Sequence, residues 1–147
     1  MRDRILRIGL AYLAVSVAVV GFWATFAPRS FFTDFPGGGR HWISADGPYN
    51  QHLVRDVGEL NLALLVVVAA ALISLSLPLV RAALVAVIVN GLLHVIYHAR
   101  HLDMFSSGDG AAVMVSLGLA PVVAAALLVL TRPSASAPTV DPGEGSA

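Results

Sequence analysis

The stretch Tyr49-Asn50-Gln51-His52-Leu53-Val54-Arg55-Asp56-Val57-Gly58-Glu59-Leu60-Asn61 packs a histidine, an arginine, two acids and several amides into one short run. His52, Asp56 and Glu59 fall at i, i+4 and i+7, a single stripe if the run is helical, with Arg55 one position off it. A second run, His94-Val95-Ile96-Tyr97-His98-Ala99-Arg100-His101-Leu102-Asp103, continues a comparable stripe from Asn90 through His94 and His98 to His101. Imidazoles at i and i+4, as in His94 and His98, can offer two nitrogens to one ion, and Asp56, Glu59 or His52 can complete the shell. The expected metal set is His94, His98 and Glu59, a mixture suited to zinc, iron or manganese. Haem between two axial imidazoles, for example His52 and His98, is the other cofactor these residues allow.

Two further chemistries use the same residues. Ionisable groups inside a membrane mark proton or substrate paths, and an Arg–Asp–His network can hold an anionic or quinone-like headgroup. The cluster can equally be a staple. Asp56 and Glu59 lie where a helix N-terminus favours anions, while His98, Arg100 and His101 lie where a C-terminus favours cations. Pairing of Arg55 with Asp56 or Asp103 would then tie two antiparallel helix ends together.

The elements that must carry these residues are membrane helices. Of 147 residues 57% are hydrophobic and only 12% charged, with a mean hydropathy of +0.80, which is the composition of an integral membrane protein. Net charge is zero, which argues against a nucleic-acid partner. Cysteine is absent, so disulfides, thiolate metal sites and thiol redox relays are excluded.

Four apolar runs predict helices over about 5–27, 51–77, 82–99 and 111–130 in one membrane domain, 1–131, with a Pro/Ser/Gly/Ala-rich disordered tail over 132–147. The first run is too long for the apolar core of a signal peptide and reads as an uncleaved helix. Asn50 is the expected N-cap of the second helix and Pro78 its expected stop, with Arg81 on the following turn. Gly9, Ala14, Ala18 and Gly21 on the first helix and residues 124–126 on the last are read as packing contacts. The connection over 28–50 holds Phe31, Phe32, Phe35 and Trp42, suited to the membrane interface. Within it, Pro36-Gly37-Gly38-Gly39-Arg40-His41 reads as a flexible turn or, with its cations, as an anion-binding nest.

With four crossings, the first and third loops share a side, so the polar opening of the second helix and the polar close of the third meet at one membrane face. His41 and Asp103 can join from the loops. Deeper in, Asn61 and Asn90 are nearly the only polar groups, so the polar path ends about halfway and describes a pocket better than a pore. Arg2, Arg4, Arg7, Arg81 and Arg132 lie on one side and Arg29, Arg40, Arg55 and Arg100 on the other. The positive-inside rule then places both termini in the cytoplasm and the polar cluster near the outer leaflet.

The pattern Phe35-Pro36-Gly37-x2-Arg40-x-Trp42, Gly47-Pro48-Tyr49-Asn50-x-His52-Leu53-x-Arg55-Asp56-Val57-Gly58 and His94-x2-Tyr97-His98 resembles a group of small actinobacterial membrane proteins of uncharacterised role. In helix number and size the chain also resembles DoxX-like four-helix proteins. The resemblance implies a four-helix bundle of the inner (plasma) membrane with a redox-associated accessory role, and carries over no catalytic residues. The expectation is therefore an all-α, four-transmembrane-helix bundle with a polar cluster at one face. It would act as an accessory or small-ligand-binding protein through His52, Arg55, Asp56, Glu59, Asn90, His94, His98 and His101. Its surroundings would be lipid, a lipid or quinone ligand, and partner membrane subunits. The alternative is a metal- or haem-dependent membrane oxidoreductase.

Overall fold

The computed structural model describes residues 1–132. Four long helices dominate it: α1 (Arg2–Phe26), α3 (Gln51–Ser74), α4 (Leu77–Ala99) and α5 (Ser107–Leu130), with a short α2 (Pro28–Asp34) after the first. Each long helix has at least 23 residues, about 35 Å at 1.5 Å per residue, enough to cross roughly 30 Å of hydrocarbon. All four are also apolar enough to do so. The chain is a multi-pass membrane protein built as a four-helix bundle.

The helix ends differ from the sequence expectation in instructive ways. Ala27 breaks the first helix, and Pro28 starts α2 inside what reads as a plain connection. Proline is favoured there because a first-turn residue needs no N–H partner. The same physics corrects the reading of Pro78 as a stop. The helix before it already ends at Ser74, capped by Leu75 in the left-handed region at φ 50°. Pro78 lies in the first turn of α4. Arg81 therefore sits on that helix and not on a turn, where its guanidinium donates to the Thr131 hydroxyl and carbonyl. Asn50 caps α3 as expected, its side chain accepting from the backbone N–H groups of His52 and Leu53. Ser106 caps α5 through the N–H of Asp109, starting that helix before residue 111. The tail expected to be disordered lies, apart from Arg132, outside the described residues.

Around the bundle the order is α1, α3, α4, α5, with the closest packing within the pairs α1/α3 and α4/α5. Small residues permit it. Leu62 packs on Gly21, the Ala24–Thr25 backbone on Gly58, Leu127 on Gly9, and Pro121 on Gly91. Where the α3–α4 turn lies, the two pairs share a dry core that includes Leu6, Leu10, Leu13, Val68, Ala71, Val80, Leu84, Ala124 and Leu127. A smaller cluster of Ala24, Phe31 and Val54 sits towards the opposite end, with Trp23, Phe32, Phe35, Ile43 and Tyr49 packed on it.

Candidate functional site

The four long helices and the loop before α3 enclose a cavity of about 570 Å³. Its walls are largely apolar: Val17 and Val20 from α1, Leu53, Val57 and Leu60 from α3, and Val113, Leu117 and Ala120 from α5. Polar groups enter at few points. Asn90, His94 and His98 come from α4, Asn61 from α3, Ser16 and Ser116 from α1 and α5, and Trp42, Asp46 and Asn50 from the loop above. No arginine lines it.

The two histidines form the most organised part of the wall. One turn apart on α4, they face Nε2 to Nε2 at 3.0 Å, with rings nearly parallel at 19° and centroids 4.8 Å apart. His98 is buried, edged by Tyr97 and Phe105, and its Nδ1 has no partner. In a neutral pair only one Nε2 carries the hydrogen. With His98 as donor, its orphaned Nδ1 is an acceptor, and buried unpaired acceptors are tolerated more often than unpaired N–H groups. His94 then presents its Nδ1–H as a free donor. Ser16 and Ser116 spend their hydroxyls on the carbonyls of Tyr12 and Val113, and Asn61 Nδ2 donates to that of Val57. The Asn90 amide, one turn below His94, has no hydrogen-bond partner among the described residues.

Above the cavity lies the loop after α2. Its strands β1 (Pro36–Gly37) and β2 (Arg40–His41) pair antiparallel, and the turn at Gly38 and Gly39 has φ of 65° and 76°, which favours glycine. Two carboxylates hold this loop down. Asp46 accepts from the Tyr97 hydroxyl of α4 at 2.9 Å. Asp109, in the first turn of α5, accepts from Trp42 Nε1 at 3.0 Å and pairs with Arg40 at 3.2 Å. Phe35 and Phe31 continue the aromatic contacts from Trp42 to Trp23.

The structure brings only part of the predicted cluster together. His94, His98 and Asn90 share the cavity wall. His52, Arg55, Asp56 and Glu59 do not line it, which corrects the expectation that the stripes on α3 and α4 turn towards each other. The face of α3 turned to the cavity is the neighbouring one, Leu53, Val57 and Leu60. Among the described residues His52 pairs with Asp56 of its own helix alone, at 3.5 Å, and its side chain is 82% exposed. This is why a haem between His52 and His98 does not fit. Glu59 is exposed and is not grouped with the histidines. Among the described residues no three His, Asp or Glu side chains converge where they could hold an ion. Arg55 makes no ion pair with Asp56 or Asp103 there, so the expected staple is absent among the described residues. His101 returns its Nδ1 to the Tyr97 carbonyl, and His41 Nδ1 bonds the Thr33 carbonyl.

Asp46 and Asp109 were not singled out by the sequence. Asp109 did carry a signal, since Ser106-x2-Asp109 has the spacing of a helix-capping pair on the polar face. Asp46 had none beyond its loop. No protein-family model, curated protein or solved structure matches the chain. The reading of function therefore rests on the cavity itself.

Proposed function

We propose that this protein binds a small amphipathic molecule of the membrane, quinone-like in its uncharged hydrogen-bonding head. The observation that carries this is the paired His94 and His98 in the wall of a largely apolar cavity within the bundle. The volume falls in the range of small-molecule sites, about 300–1,000 Å³. A free His94 N–H and a free Asn90 amide one turn deeper, about 6 Å along the helix, suit carbonyl acceptors at separate heights. The absence of arginine from the wall and the presence of Asp46 disfavour an anionic head. In the plasma membrane, the arginine distribution supports both termini being cytoplasmic, so that the cavity opens in the outer leaflet. An accessory role beside partner membrane subunits is part of this proposal, with this site holding the ligand.

Trp42 lines the cavity, so its fluorescence reports occupancy. Titration of the detergent-purified protein with a methyl-substituted benzoquinone should quench it saturably. His94→Ala should raise Kd by about tenfold, the ~1.4 kcal/mol of one hydrogen bond lost in a desolvated site. Equal affinity in the wild type and in the His94→Ala/His98→Ala variant would sink the reading.

A further inference from the structure

We propose that the cavity is entered sideways from the bilayer, through a slit between α3 and α4, and that its ligand therefore carries a long apolar chain that lies in this slit. The proposal rests on the binding reading above and adds the route and the class of molecule.

The rim of the cavity can be located from residues that both line it and face outwards. Leu53, Val57 and Leu60 of α3 line it yet are 59%, 45% and 71% exposed. On α4 Asn90 and His94 line it and are exposed as well. These residues form two strings one turn per step, at i, i+4 and i+7 on α3 and at i and i+4 on α4. Away from that gap Phe31 and Val113 are buried, at 3% and 2% exposure, and the other exposed lining residues are Ser116 of α5 and Asp46, Gly47, Pro48 and Asn50 of the loop. Near their connecting turn α3 and α4 join through the dry core, where Val68 and Ala71 meet Val80 and Ala83. The slit is the part of their seam that this core does not reach.

Its depth sets the chemistry of what passes. Leu60 follows the start of α3 by nine residues, about 14 Å along the helix, so the opening runs into the hydrocarbon and not only along the headgroups. Its α3 edge is aliphatic, and its α4 edge carries Asn90 and His94. On the water side the loop is fastened at both Tyr97 and Asp109. A molecule dissolved in the bilayer can bring its head to His94 through this gap while its chain stays against Val57 and Leu60.

Two probes separate the route from the binding itself: a decyl-substituted benzoquinone and the same ring with methyl in place of decyl, titrated by tryptophan quenching. The slit variant Val57→Phe/Leu60→Phe should weaken the decyl compound about tenfold more than it weakens the methyl compound. The variant Val66→Phe/Ile73→Phe, with two rings added to exposed positions of α3 that do not line the cavity, should match the wild type for both. Unchanged decyl affinity in the slit variant would overturn the lateral route while the binding reading stands. So would equal losses for both probes, or an equal loss in the Val66→Phe/Ile73→Phe variant. Quenching of the wild type by neither probe would overturn both.

Discussion

At the scale of single residues, what a side chain contributes depends on which way its helix face turns. His98, near the end of α4, is buried, whereas the side chain of His52, in the first turn of α3, is 82% exposed. Glycines make the same point for packing. A Cβ on Gly58 would strike the Thr25 hydroxyl and the Ala24–Thr25 backbone, which cannot rotate aside, whereas one on Gly118 meets nothing within 4 Å. Gly58→Ala should therefore lower stability by about 1–3 kcal/mol, the usual cost of overpacking. Gly118→Ala should be neutral or gain up to about 1 kcal/mol from helix propensity. Thermal unfolding of both variants in one detergent checks this, and a Gly58→Ala protein as stable as the wild type would contradict the close α1–α3 approach.

At the scale of elements, the loop over 35–50 is set by its two fastenings more than by any structure of its own. Its paired strands are two residues each, too short to hold a shape alone. Tyr97 and Asp109 stand on different helices, so the loop also bridges α4 and α5. Asp109→Ala removes the partner of both Trp42 and Arg40 and should speed amide exchange over residues 36–46 and move Trp42 emission to the red. Tyr97→Phe, which deletes one hydroxyl, should act in the same direction but less. Because both hold one loop, the double variant should depart from the sum of the two effects. Additive effects would show two independent fastenings.

At the scale of the whole molecule, the bundle is asymmetric along its axis: dry where the α3–α4 turn lies, and hollow beneath the loop. The arginine balance predicts that Ser44 is outside and Ser76 inside. The chain has no cysteine, so Ser44→Cys and Ser76→Cys each introduce a single label site. In spheroplasts an impermeant maleimide should modify the first at once and the second only after lysis. The reverse pattern would move the cavity to the cytoplasmic leaflet and leave its geometry intact.

The sequence by itself determined the class, the number of crossings and the shared face of the two polar runs. Long apolar segments can satisfy their backbone in lipid only as helices, and parity then fixes which ends are neighbours. Asn50 as a cap and the small residues at helix contacts were legible for equally local reasons. Pro78 misled because proline is read as a stop, whereas the first turn of a helix accepts it as readily. The tertiary structure decided the site. Spacing shows that His52, Asp56 and Glu59 share a stripe, but the rotation of a helix about its axis is set by packing, here by Gly58 against α1. That contact turns Leu53, Val57 and Leu60 to the cavity and leaves the charged stripe off its wall. The pairing of Asp46 with Tyr97 and of Asp109 with Trp42 likewise joins residues 51 and 67 positions apart, a distance no local pattern spans.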